Sequence, residues 1–201
     1  MELPPFAVTW DYRCPFARNA HEFLVAALKD GAPFDVEFVP FTLTQGHLDD
    51  GAVPVWDDPA RGADLLALET GVVVRDHFAD RFLDVHGALF SARHDEGADL
   101  RRRDVVAGVL EACGVSSEKV FAEIGDGWAR QEIRRAYERC VGTYEVFGVP
   151  TFIAEDRAAF VRLMTSPATD PQDPAALIER LVTMLIGQPE LNEFKHTTLS
   201  R

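Results

Sequence analysis

The sequence predicts an α/β chain in which a strand–helix–strand opening and a late β-hairpin enclose a long helical block. Three observations carry that expectation. Phe6 to Trp10 is an apolar, aromatic run followed by helical spacing (Phe16, Ala20, Phe23, Leu24, Ala27, Leu28), then by Phe34, Val36 and Phe38 alternating with Asp35, Glu37 and Val39. From Ala63 to Phe147 the apolar period stays helical. Two short apolar runs, Thr151 to Ala154 and Ala159 to Leu163, then flank the polar Glu155-Asp156-Arg157.

Each element has a local reason. Proline at the first helical position carries a preset φ and lacks only an N–H that would have no partner there, so Pro15 opens a helix. That helix runs to about Lys29 and stops at Asp30-Gly31, where glycine supplies a left-handed residue. Pro33 then leads into a strand over Phe34–Pro40. Strand, helix and strand in this order make a right-handed parallel unit. Residues 41–63 read as loop, broken by Gly46, Gly51, Pro54 and Pro59, and their Asp49-Asp50 and Asp57-Asp58 pairs as solvated turn residues. Helices are expected over Asp64–Thr70, Val74–Arg93, Leu100–Ala112, Ser117–Ile124 and Asp126–Phe147, with Gly71, Gly97, Gly114 and Gly125 between them. Ser116 or Ser117 caps one of them. The hairpin is followed by a proline-bearing loop and a last amphipathic helix, Pro174–Ile186, with Asp173 as its N-cap. A polar tail, Gln188 to Arg201, closes the chain.

The chain of 201 residues, 47% hydrophobic and 26% charged, has the make-up of an ordinary globular protein with a sizeable core. A formal charge of −13 argues against a nucleic-acid or anionic-membrane surface, since binding phosphate needs clustered Lys and Arg. The run Arg101-Arg102-Arg103 reads as a solvated first helical turn. No apolar stretch is long enough to span a bilayer. Met-Glu-Leu-Pro-Pro has neither the basic nor the apolar region of a secretory signal, and three cysteines at 14, 113 and 140 form no paired or zinc-like spacing. A reducing cytoplasm is the expected setting.

The chemistry falls on Cys14. It follows the first strand by four residues and precedes Pro15, so its sulfur is expected as the N-cap facing the unpaired N–H groups of the first helical turn. The partial positive charge of that helix end favours thiolate over thiol. Arg13 and Arg18 flank the sulfur in sequence and are expected to depress its pKa further. Trp10, Tyr12 and Phe16 are expected as an aromatic rim, with Trp10 as core strand the alternative. His21 is expected on the surface or at a contact with the helical block, and His77 and His86 as packing or capping residues.

Cys14-Pro15-Phe16-Ala17 resembles the active-site turn of the thioredoxin superfamily, in the DsbA-like and FrnE-like branch, where Cys-Pro-aromatic-Cys joins a strand to a helix. Phe147-Gly148-Val149-Pro150-Thr151-Phe152-Ile153 is similar to the cis-proline loop of the same superfamily. The resemblance implies a thioredoxin-like fold with an inserted helical subdomain: residues 1–62 and 148–201 form the thioredoxin-like domain, and 63–147 the insertion. It also implies thiol–disulfide oxidoreductase activity with Cys14 as catalytic residue, and a substrate surface made by Pro15, Phe16, Ala17, Val149 and Pro150.

The chain departs from the family pattern at Ala17, where a second cysteine would resolve the mixed disulfide. Release then needs an external thiol, so the expected chemistry is monothiol exchange with a co-substrate such as glutathione or mycothiol, without a tightly bound cofactor or metal. Cys140 lies on an apolar helical face (Ile133, Ala136, Tyr137, Val141, Tyr144) and reads as core, with a resolving role as the alternative; Cys113 is a weaker candidate. The expected partner is a small thiol or a thiol/disulfide substrate, neither nucleic acid nor membrane, and a homodimer stays open. Two alternatives stand beside this reading. One is a thiol-dependent enzyme similar to the kappa-class glutathione transferases or the chromene-carboxylate isomerases, which have serine where Cys14 stands. The other is a non-catalytic thioredoxin-fold module that binds peptides.

Overall fold

A computed structural model describes residues 3–170 and 172–196. Its four-stranded sheet has the order β2-β1-β3-β4, with β1 Phe6–Trp10, β2 Val36–Pro40, β3 Thr151–Ala154 and β4 Arg157–Phe160. β1 pairs parallel with β2 and antiparallel with β3, which turns back antiparallel to β4. Every residue of β1 is buried, as the continuous apolar run requires of a central strand covered on both faces. This is the thioredoxin-like α/β fold.

Helix α1, Pro15–Lys29, lies against β1 and ends at Asp30, followed by Gly31 at φ 88°. After β2 come one short turn of helix, α2 Leu43–Gly46, and a 3₁₀ segment, Pro59–Leu65, both inside the stretch expected as loop. Asp58 nucleates the second by accepting a hydrogen bond from the Ala60 N–H. Then follow α3 Leu66–His77, α4 Ala79–His94, α5 Arg103–Ala112, α6 Ser117–Gly125 and α7 Trp128–Tyr144. All lie between β2 and β3 in sequence. One apolar cluster runs continuously from Val8, Trp10 and Phe23 through Val72, Val85 and Leu89 to Val120 and Ile133. The final helix, α8 Pro174–Gly187, packs on α1 and β3, with Asp173 accepting from the Ala175 and Ala176 N–H groups. Ser116 caps α6 by accepting from Lys119 N–H. The last five residues of the expected polar tail, 197–201, lie outside the described residues.

Several boundaries differ from the sequence expectation. α5 starts at Arg103 with Arg102 as its N-cap, so Arg101 and Arg102 precede the helix instead of forming its first turn, and α7 starts at Trp128. β2 starts at Val36, two residues later than expected, because pairing with β1 begins at Phe6↔Val36. α3 runs straight through Gly71, and the break falls at Phe78. A side chain at 71 would place its Cβ 2.5 Å from the Tyr12 hydroxyl, so this glycine serves a close approach, not a helix end. α7 stops at Tyr144, three residues short of Phe147, because Glu145 takes a left-handed conformation at φ 53°. The hairpin turn is Glu155-Asp156, with Glu155 at φ 55°, which moves β4 toward the N-terminus to begin at Arg157.

Candidate active site

Cys14 caps α1 as the Pro15 rule predicts. Its backbone N–H bonds to the Asp11 carbonyl at 3.0 Å, and its Sγ accepts from the Ala17 N–H at 3.5 Å. The residue is nearly buried, at 8% exposure. Its sulfur meets the turn before β3: Sγ–H donates to the Val149 carbonyl at 3.2 Å, and the Val149–Pro150 peptide bond is cis. Three hydrogen bonds hold that turn. Thr151 N–H donates to Thr9 Oγ1, Thr151 Oγ1–H donates to the Gly148 carbonyl, and Val161 N–H donates to the Pro150 carbonyl. The structure thus brings Cys14, Ala17, Val149 and Pro150 together, with Pro15 exposed and Phe16 half-buried beside them. Ala17 is fully buried at the position where the dithiol pattern has its second sulfur.

The electrostatics differ from the sequence expectation. Burial pushes the Cys14 thiol above its ordinary pKa, outweighing the N–H groups of Ala17 and Phe16; the Asp11 carboxylate adds to the rise and the Arg162 guanidinium opposes it. The two flanking arginines do not help, because both are already neutralised. Arg13 clamps Asp11 through Nε and Nη2, while Arg18 pairs with Glu22 at 2.7 Å and Asp95 at 2.6 Å. Asp11 itself is buried and also accepts from the Leu43 N–H at 2.8 Å. Burial and the bond from Sγ–H to the Val149 carbonyl both favour the thiol over the thiolate.

The aromatic rim is corrected as well. Trp10 and Tyr12 are sealed in the core, at 0% and 1% exposure, and only Phe16 of the three reaches the surface. Of the two places expected for His21, the structure has the contact with the helical block, against His86 of α4, and not the surface: the ring is fully buried and its Nε2 lies 3.1 Å from the Thr9 carbonyl. A carbonyl can only accept, so Nε2 carries the proton and Nδ1 is an acceptor. His86 Nε2 lies 3.0 Å from that Nδ1, and the Tyr12 hydroxyl lies 2.8 Å from His86 Nδ1. The directions are then all set: Tyr12 O–H donates to His86, His86 to His21, and His21 to Thr9. Burial depresses both histidines, His21 to about 4. This relay ties the segment before Cys14 to α1, α4 and β1, and through Thr9 Oγ1 to the residue after Pro150. Sequence spacing carries no sign of it, since residues 12, 21 and 86 meet only through the packing of α4.

All three cysteines are free. Cys140 is 1% exposed on α7, where burial pushes its thiol up to about 11. Cys113 is half-buried at the end of α5. Among the described residues no three His, Cys, Asp or Glu side chains converge as a metal-binding set, and no helix is long and apolar enough to cross a membrane.

Comparison with known proteins bears on the family and the fold. A family model described as "DSBA-like thioredoxin domain" matches residues 74–178, just over half of the chain, taking in α4 to α7 and the cis-proline turn but starting downstream of Cys14. The chain is 26% identical over 171 residues to the thiol:disulfide interchange protein DsbA of Pseudomonas aeruginosa, covering 85% of this chain and 71% of that protein. Two solved structures share the fold at lower identity. MdbA, a thiol-disulfide oxidoreductase from Actinomyces oris, aligns with a TM-score of 0.59 at 18% identity, covering 90% of this chain and 81% of that one. A 2-hydroxychromene-2-carboxylate isomerase aligns at 0.63 and 15% identity, covering 92% and 97%. The chain belongs to the DsbA-like thioredoxin-fold family of thiol–disulfide oxidoreductases.

Proposed function

We propose that this protein carries out monothiol thiol–disulfide exchange through Cys14, with an external small thiol doing what a second active-site cysteine does in dithiol relatives. One observation carries the reading: Sγ sits between a helix N-terminus and the Val149 carbonyl of the cis-proline turn, and a buried Ala17 occupies the place of the resolving sulfur. In the first step the Cys14 thiolate attacks one sulfur of a client disulfide. A Cys14–client disulfide forms, the client S–S bond breaks, and the departing thiolate takes a proton from solvent. A small thiolate then attacks the Cys14 sulfur of that adduct: a Cys14–small-thiol disulfide forms and the client leaves as a thiol. A second small thiolate attacks the small-thiol sulfur, so the small-thiol disulfide forms and Cys14 leaves reduced. Glutathione and mycothiol are the candidate co-substrates, and a compartment that keeps such thiols reduced, the cytoplasm, is the setting that supports turnover.

The resting thiol fits a substrate-gated version of this step. Hydrogen bonding to the neutral form disfavours ionisation, and the Val149 carbonyl makes that bond. An extended client lying along the turn offers its own N–H to Val149. The sulfur then loses its acceptor and keeps the Ala17 N–H, which favours thiolate.

The test is mass spectrometry of the folded protein after exposure to oxidised glutathione across a pH series, with peptide mapping. An adduct on Cys14 is expected, forming faster as pH rises beyond the ordinary thiol value of about 8.5 and reversed by reduced glutathione. Absence of any Cys14 adduct up to about pH 9.5, with iodoacetamide equally unreactive, would refute the monothiol reading.

A further inference from the structure

Arg162 stands apart from every other cation near the active-site turn. Its guanidinium carbon lies 4.7 Å from the centre of the Phe16 ring and 5.7 Å from that of Phe160. Phe16 is the second residue after Cys14 and is half-buried, and Arg162 is exposed, so the guanidinium stacks on a residue of the active-site turn itself. Two aromatic contacts restrain a side chain that is otherwise exposed, and a restrained guanidinium loses less freedom when it binds a ligand. Among the described residues no carboxylate lies within ion-pair distance of it. Arg13 and Arg18, by contrast, are each bound to acids. Arg162 is also the cation whose field reaches the Cys14 sulfur.

We propose that Arg162 selects the co-substrate of Cys14, favouring small thiols and disulfides that carry a carboxylate. This rests on the monothiol reading and adds the chemical class of its partner. A guanidinium offers two parallel N–H donors that match a carboxylate, and a ligand whose sulfur reaches Cys14 past Phe16 brings a carboxylate a few bonds away to that fork. Asp11 acts on the sulfur in the opposite sense to Arg162. Its carboxylate is buried and bound by Arg13 and the Leu43 N–H, so it does not pair with Arg162 and leaves that guanidinium open to a ligand carboxylate. The overall charge of −13 repels anions at long range, which makes a local, unpaired cation the feature that separates anionic from neutral thiols.

The step to be measured is single and balanced. Cys14 thiolate attacks a symmetrical disulfide, a Cys14 mixed disulfide forms, the reagent S–S bond breaks, and one equivalent of small thiol leaves. The reagents are 3,3′-dithiodipropionate, 2-hydroxyethyl disulfide and cystamine, which are anionic, neutral and cationic at pH 8. Each rate of Cys14 adduct formation is divided by the rate of the same reagent with N-acetylcysteinamide, which removes intrinsic reactivity. The expected normalised preference is anionic over neutral by about three- to five-fold at low salt, the size of one exposed charge pair. Neutral should exceed cationic, and the spread should shrink at 0.5 M salt. Arg162→Gln should bring the anionic-to-neutral ratio to about one, and Arg162→Lys should keep part of it. Rates blind to reagent charge in the unsubstituted protein, or a preference that survives Arg162→Gln, overturn the selection by Arg162 while leaving the monothiol reading in place. No Cys14 adduct with any of the three reagents removes the monothiol reading and this inference with it.

Discussion

Acid should unfold this protein through the buried histidines before its carboxylates are affected. His21 is fully buried with its pKa depressed to about 4, against an unfolded value of about 6.5, and the cause is burial, opposed in part by its bond to the Thr9 carbonyl. His86 is shifted the same way by burial and by its neighbour His21. The sign follows from proton counting. Below pH 6.5 the unfolded chain binds protons that the folded chain refuses, so stability is full above pH 6.5 and falls until the folded pKa is passed. At one pH unit per about 1.4 kcal/mol, His21 alone removes about 2 kcal/mol by pH 5. His86 adds a loss of the same sign, and half-buried His94 contributes in that direction too. The acids held below their usual range, Asp84, Asp99, Asp104, Glu111 and Asp170, lose their contribution only below about pH 4, so the two windows separate. Urea unfolding at pH 7.5, 6.5, 5.5 and 5.0 measures the slope directly. With two histidines neutral when folded and charged when unfolded, it should approach about 2–3 kcal/mol per pH unit near pH 5.5. A slope below about 1 kcal/mol per unit would mean that at least one of the pair is charged or solvated in the native state, and the relay from Tyr12 to Thr9 would not exist as drawn.

Two further outcomes follow from named contacts. Gly71→Ala drives a methyl to within 2.5 Å of the Tyr12 hydroxyl and should cost about 1–3 kcal/mol of stability; the cost should be smaller in a Tyr12→Phe background, so that the double-mutant cycle is non-additive. Ala17→Cys restores a second sulfur one turn from Cys14, beside the N–H that already reaches Sγ at 3.5 Å. Peptide mapping of the oxidised variant should find Cys14 joined by a disulfide to the introduced thiol, and the reduced form should catalyse insulin reduction above the level of the parent. Two free thiols after oxidation would show that the turn has another shape.

The local grammar of the chain determined a large part of this. Pro15, Pro174, Asp173, Ser116 and Gly31 specify helix ends through groups within four residues of themselves, and the structure has them where short-range physics puts them. Cys14 as N-cap and the Gly-Val-Pro-Thr turn are of the same kind, so the two halves of the site were legible before any contact between them was known. What spacing left open were properties that depend on neighbours distant in sequence. Gly71 reads as a helix stop and is instead the gap that admits Tyr12. His21 reads as a surface residue or a contact with the helical block, and only packing shows it to be the second: the middle of a buried relay completed by His86. The charges of Arg13 and Arg18, counted along the chain, point to a depressed thiol pKa; in space they belong to Asp11, Glu22 and Asp95, and burial controls the sulfur. Hydrogen-bonded caps and turns are encoded within a few residues, whereas desolvation and charge pairing are set by whatever the packed chain brings alongside, and only the tertiary structure supplies that.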